Sequence, residues 1–207
     1  MRDIFIKFTA ILLIFILCIP CFTVHAEESL DARSAILIEA NTGAVLYEMN
    51  ADEALPPASV TKVMTLLLVM EAVDGEKISL QDNVTVSEKA ASMGGSQIFL
   101  EVGEMISVED LIKSVVIASA NDAALALAEH IYGSEEEFVK AMNSKAQELN
   151  MKNTYFENTN GLDDTTTKHL TSARDIAIMS AELIVKHPAI LNYTTIWQDT
   201  VRNGEFT

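Results

Sequence analysis

The stretch Pro56-Pro57-Ala58-Ser59-Val60-Thr61-Lys62-Val63-Met64-Thr65-Leu66-Leu67-Leu68-Val69-Met70-Glu71-Ala72-Val73-Asp74-Gly75 decides the fold. Pro56-Pro57-Ala58 leads into an apolar run too long for an ordinary strand. Its length and unbranched Leu and Met content predict a helix from Ser59 to Val73. Ser59 sits near its start and Asp74-Gly75 closes it. Upstream, Ser34–Glu39 and Ala44–Glu48 have strand character, and Asn41-Thr42-Gly43 between them is a turn signal, so the pair predicts a β-hairpin. Downstream, Asn83–Val86 predicts a short strand and Gly94-Gly95-Ser96 a loop. Val108–Ala118 and Asp122–Tyr132 are two apolar helices separated by Ser119-Ala120-Asn121. Ser134-Glu135-Glu136-Glu137 fits a capping box that opens a helix to about Leu149, and the acidic triplet needs no reading beyond that. Asn158–Thr167 is polar and turn-rich. Thr171–Lys186 predicts a further helix closed by His187-Pro188, and Thr194–Val201 predicts a strand. A hairpin, a helical block and a returning strand make the class α/β (α+β), with helices packed on an antiparallel sheet.

The first 26 residues are expected to be a leader outside that fold. Arg2 and Lys7 form a positive start, Phe8–Thr23 is apolar except for Pro20, and Val24-His25-Ala26 offers a small residue for cleavage. An uncleaved anchor is the alternative, which Pro20 and the small exit residue disfavour. Leu17 and Pro20 occupy the lipobox position that needs Gly, Ala or Ser. Both cysteines, Cys18 and Cys21, lie in this leader. Residues 27–207 therefore carry no disulfide, thiol nucleophile or thiolate metal site. The formal net charge of −16 repels phosphates and anionic head groups, which argues against nucleic acid. No two of the four histidines stand at metal-ligand spacing, so no metal is expected, and His169 reads as a structural loop residue.

Two short motifs carry possible chemistry. On a helix, Ser59 and Lys62 at i and i+3 share a face, about 5–6 Å apart. The helix N-terminus favours an alkoxide on Ser59 and disfavours an ammonium on Lys62, so a buried Lys62 can serve as a base. The pair alone is a weak signal, since roughly one is expected by chance in a chain this long. Ser119-Ala120-Asn121 sits in a tight break between helices. There, Ser119 can relay a proton and Asn121 can offer both a donor and an acceptor to a peptide. Taken alone, that motif is better explained as a simple helix cap at Asn121.

Taken together, Ser59-Val60-Thr61-Lys62 and Ser119-Ala120-Asn121 resemble the first two motifs of penicillin-binding proteins and active-site serine β-lactamases. The flanking stretches Pro57–Thr65, Gly95–Leu100, Ala118–Ala124, Phe156–Leu162 and His169–Asp175 are similar to low-molecular-mass D-alanyl-D-alanine carboxypeptidases. The resemblance implies a β-lactamase/transpeptidase-like fold over residues 27–207. It implies Ser59 as nucleophile, Lys62 as general base, Ser119 as proton relay and Asn121 as a substrate-positioning residue. It also implies a peptidoglycan stem peptide ending in D-Ala-D-Ala as substrate, β-lactams as inhibitors, no cofactor, and an exported, extracytoplasmic protein.

The family's third motif, Lys-Thr-Gly, does not occur in these residues, and neither does Lys-Ser-Gly. The expectation is therefore of a chain truncated before the remaining sheet strands. Such a chain would be poorly active without the strand that helps complete the oxyanion hole, and any membrane association would come from segments outside it. Two alternatives stand beside the carboxypeptidase. A class A-like β-lactamase needs a Glu four residues before Asn150, where Ala146 stands. A non-catalytic wall-binding or penicillin-sensing domain has no need of a nucleophile–base pair.

Overall fold

In the computed structural model, residues 30–162 and 166–204 are described. The leader read at 1–26 lies outside them. The hairpin forms as expected: β1 (Ala35–Ile38) pairs antiparallel with β2 (Val45–Met49), with an irregularity between Leu37 and Ile38. Its turn closes through Gly43 N–H donating to Glu39 O at 2.8 Å, while the Glu39 carboxylate accepts from Asn41 and Thr42. A 3-10 turn over Ala58–Thr61 leads into α1 (Lys62–Asp74). Next come β3 (Asn83–Thr85), a single-turn α2 (Glu88–Ala91), β4 (Met105–Ser107), α3 (Val108–Ala118) and α4 (Asn121–Tyr132). After these follow α5 (Glu135–Glu148), α6 (Ala173–Lys186) and a short α7 (Leu191–Thr194). β3 and β4 form a second two-stranded antiparallel sheet.

Serines start three of the long helices. Ser107, Ser134 and Ser172 accept from the backbone N–H of Asp110, Glu137 and Asp175, satisfying donors that the first turn leaves free. α1 is the central helix. It packs on α4, α5 and α6, and Met64, Leu67 and Met70 are fully enclosed. Leu125 and Leu127 of α4, Phe138 and Met142 of α5, and Met179 of α6 complete its surroundings. A helix buried on several sides keeps little polar face, which is why its sequence reads as an apolar run broken only by Thr65 and Glu71 between Val63 and Val73.

The strand expected over Thr194–Val201 does not form over Thr194–Thr200, and Val201 makes only an isolated bridge. Its start is the end of α7, and residues 195–200 are irregular, with Trp197 95% exposed. β-branched and aromatic residues express strand propensity only against a neighbouring strand, and among the described residues none pairs with Thr194–Thr200. Among the described residues, no helix is long and apolar enough to cross a membrane.

Candidate active site

The site is built on the turn that precedes α1. Ala58 has φ +46°, a left-handed conformation uncommon for alanine, and the next four residues tighten into the 3-10 turn and the start of α1. In a 3-10 turn, side chains at i and i+3 eclipse. Ser59 and Lys62 therefore meet: Lys62 Nζ lies 3.2 Å from Ser59 Oγ. Ser59 is exposed, while Lys62 is 3% exposed.

A loop from the far side of the chain backs this pair. The Asn160 carbonyl accepts from Lys62 Nζ at 3.0 Å, and the Thr159 carbonyl accepts from Thr65 Oγ at 2.6 Å. Asn158 shapes the loop: Oδ1 accepts from the N–H of Asn160 and Gly161, and Nδ2 donates to Leu162 O. Gly161 (φ +87°) presses against the Ser59 turn. A Cβ there would lie 1.8 Å from the Ala58 carbonyl oxygen and 2.8 Å from Thr61 Oγ1, so only glycine fits. Beneath the turn, buried His169 accepts from Glu157 N–H at Nδ1, which puts its proton on Nε2, 2.7 Å from Thr61 Oγ1.

Lys62 has no carboxylate partner among the described residues. Burial alone pushes its pKa down from 10.5 to about 8. A Lys with that pKa has an appreciable neutral fraction near pH 7–8, and its lone pair is within reach of the Ser59 hydroxyl proton.

The second motif lies at the α3–α4 break. Ser119 adopts φ +54°, ψ +36° and ends α3; its hydroxyl is half-buried and makes no hydrogen bond among the described residues. Asn121 is the first residue of α4, not its cap: Nδ2 donates to Gly94 O at 2.7 Å and its N–H to Ser96 O at 2.7 Å. The cap reading of Asn121 is thus set aside. Asp122, fully buried beside it, accepts from the N–H of Ile98, Leu100 and Ala123, pinning the Gly94–Leu100 loop. The two halves share a seam at Gly95. A Cβ there would meet Asn121 Nδ2 at 2.7 Å and Leu162 at 3.2 Å, so the loop that holds Lys62 abuts the loop that holds Asn121. No direct hydrogen bond joins Ser119 to Ser59 or Lys62.

Residue-by-residue sequence reasoning assigned no part to Thr65, Asn160, Gly161 or Asp122. The signal was present in one respect. Asn158, Asn160 and Gly161 stand in a tight polar run, and such residues serve turns whose carbonyls need partners.

The family model described as Peptidase_S11, D-alanyl-D-alanine carboxypeptidase, matches residues 21–207. The chain belongs to the D-alanyl-D-alanine carboxypeptidase family. Among the family's curated members, D-alanyl-D-alanine carboxypeptidase DacF of Bacillus subtilis is 54% identical over 179 residues, spanning 86% of this chain and 45% of its own. The chain thus spans under half the length of that relative. PBP3 of Streptococcus pneumoniae, described as a peptidoglycan synthesis regulatory factor, superposes with a TM-score of 0.81 at 34% identity, covering 86% of this chain and 54% of its own. Penicillin-binding protein D2 of Listeria monocytogenes in its ampicillin-bound form superposes with a TM-score of 0.76 at 31% identity, covering 86% of this chain and 72% of its own. The expected transpeptidase-like fold is therefore the one observed, with the antiparallel strands held in two small sheets.

Proposed function

We propose that residues 27–207 form the N-terminal part of the catalytic domain of a serine D-alanyl-D-alanine carboxypeptidase. One observation carries the reading. A lysine amine, buried without a carboxylate, lies 3.2 Å from an exposed serine hydroxyl in a family of that activity. Ser59 Oγ attacks the carbonyl carbon of the penultimate D-alanine while its proton passes to Lys62 Nζ. The C–N bond then breaks, and terminal D-alanine leaves with a proton relayed through the Ser119 hydroxyl. Water next attacks the Ser59 ester, Lys62 takes the water's proton and hands it to Ser59 Oγ as the C–O bond breaks, and the shortened stem peptide leaves as a carboxylic acid. Asn121 orients the peptide backbone in this scheme. β-Lactams, which mimic the D-Ala-D-Ala end, acylate the same serine; the ampicillin-bound relative supports this. The site works on peptidoglycan outside the cytoplasm, consistent with a leader cleaved after about Ala26.

The test uses the complete gene product. Incubation with a D-Ala-D-Ala peptide should release one alanine, seen by mass spectrometry, and a fluorescent penicillin should label Ser59. An intact peptide together with no label on Ser59 would refute the reading.

A further inference from the structure

Glu135 opens the acidic triplet at the start of α5, but it does not behave like its neighbours. Glu136 and Glu137 point outward, 71% and 56% exposed, toward Lys89 and Lys140. The Glu135 side chain is 14% exposed. Its Oε1 accepts both the N–H of Thr159, at 3.2 Å, and the Thr159 hydroxyl, at 3.1 Å. Its Oε2 lies 2.8 Å from Lys89 Nζ of α2. Thr159 is itself fully buried, and its carbonyl and the next one are those that accept from Thr65 and Lys62.

Two of these contacts fix Thr159 from outside and two aim its following peptides inward. Thr159 is fixed at its N–H and hydroxyl by Glu135 and at its carbonyl by Thr65. Because peptide groups are planar, the Gly161 N–H bond to Asn158 Oδ1 sets the plane of the Asn160 carbonyl. Glu135 thus anchors one end of the segment that aims this carbonyl, and Asn158 the other. We propose that Glu135 is a positioning residue for Lys62: it anchors Thr159 so that the Asn160 carbonyl holds the Lys62 amine against Ser59 Oγ. This rests on the reading of Lys62 as the general base.

Removing the carboxylate releases both Thr159 donors and leaves the Asn160 carbonyl held from one end only, by the Gly161 N–H bond to Asn158 Oδ1. Lys62 then loses an acceptor that favours its ammonium form, and it gains rotamers directed away from Ser59. Two observables move together: the plateau rate of acylation falls, and its acid limb shifts to lower pH. A glutamate that merely stabilised α5 would lower Tm and move neither.

The experiment follows labelling of Ser59 by a fluorescent penicillin in the complete gene product from pH 5 to 10, with Tm recorded alongside. Glu135→Ala should lower the plateau about tenfold and displace the limb to lower pH. Glu135→Gln, which keeps an acceptor oxygen facing Thr159, should stay within about threefold of wild type. Thr159→Val, nearly isosteric, removes one of the two donors and should move both observables in the same direction by less. It keeps the test available if Glu135→Ala does not fold. A wild-type plateau and limb in Thr159→Val and any folded Glu135→Ala, whatever their Tm, overturns the assignment. A wild type that is not labelled at Ser59 overturns the reading of Lys62 as well, whereas a labelled wild type with unmoved variants overturns Glu135 alone.

Discussion

Lys62 and Asn121 are equally buried, and the loops that hold them abut at Gly95, yet they are held in opposite ways. The carbonyl that steers Lys62 belongs to a residue 98 positions away, and the one that receives Thr65 lies 94 away. The carbonyl that receives Asn121 is 27 positions away, and Asp122 grips amides 22 to 24 positions away. Geometry at Ser59 and Lys62 thus depends on the chain folding back through α5 and the Asn158–Leu162 loop. Geometry at Asn121 is settled between two neighbouring segments. Their electrostatics differ as well. Among the described residues the buried Lys62 amine bonds only a hydroxyl and a carbonyl, while Asp122 beside Asn121 is met by three backbone N–H groups. The first region holds a buried amine of lowered pKa against a hydroxyl, while the second pins a loop.

The largest effect should separate these two. Lys62→Met removes the proposed base and should slow penicillin acylation of the complete gene product by about 10³-fold, within the range for a general base. Asn121→Ala removes one orienting contact and should cost about tenfold to a hundredfold. Acylation rates at saturating penicillin measure both. Equal losses would abolish the distinction between a residue that moves a proton and one that places the substrate.

Two glycines offer a steric version of the contrast. A Cβ at Gly161 would collide with backbone, the Ala58 carbonyl at 1.8 Å, and its φ of +87° already penalises alanine. Left-handed strain and overpacking each cost about 1–3 kcal/mol, so Gly161→Ala should lose about 4 kcal/mol in urea unfolding. Gly95→Ala shares the positive φ, but its first obstacle is the Asn121 amide at 2.7 Å, the end of a side chain. It should lose about 2 kcal/mol, with Asn121 displaced. If Gly95→Ala proved the more damaging, the long-range side would not be the rigid one.

Much of this architecture was legible in the chain. The hairpin, α1, the α3–α4 break and the Ser134 cap follow from local rules: a turn signal at Asn41-Thr42-Gly43, an apolar run, and Ser before the acidic first turn of α5. The Ser59–Lys62 spacing was readable because it is local. What escaped reading is the non-local half of the site. Nothing in periodicity says that the carbonyl of Asn160 faces Lys62, or that Gly161 is glycine because Ala58 sits against it. The same limit explains Thr194–Val201. Thr, Ile and Trp favour a strand, but pairing is decided by a neighbour that local sequence cannot supply. In sequence Glu135 fits a capping box and nothing more; its inward turn comes from Thr159, 24 positions on.

The burial that makes Lys62 useful also destabilises the fold, and pH exposes the trade. The folded pKa of about 8 lies below the ordinary 10.5, so below pH 8 the native state holds an ammonium in a site that disfavours it. This penalty, about 3 kcal/mol, shrinks as pH rises from 8 and is gone by about 10.5, where the unfolded state also loses the proton. Lys62→Met removes this penalty but leaves the Asn160 carbonyl without its donor, so it should be more stable than wild type by about 1–2 kcal/mol at pH 7, with that advantage gone before pH 10.5. Urea midpoints of both proteins across that range decide it. No corresponding gain is expected from Asn121→Leu, which would strand the Gly94 carbonyl.

The smallest expected effect lies at His169, on the long-range side. Burial lowers its pKa, and Glu157, whose carboxylate accepts from the N–H of Thr167 and Lys168, offsets this only in part. The nearest charged residue on the Ser59 turn is Lys62, which brings no negative charge. Folding thus favours neutral His169, with Nδ1 accepting from Glu157 N–H and Nε2–H facing Thr61. Protonating Nδ1 would set two donors against each other and release the strut beneath the turn. Because the folded pKa is depressed, this contribution is complete above the ordinary histidine range and is lost as pH falls through the lowered value. Wild type should lose more stability than His169→Gln between pH 7 and pH 5. Acylation should also fall more steeply with acid than Lys62 titration alone requires, by up to a second proton. His169→Gln should restore a one-proton slope. Parallel acid dependence in the two proteins would show that the strut does not titrate, leaving Gly161 and Asn160 as the contacts that set Lys62.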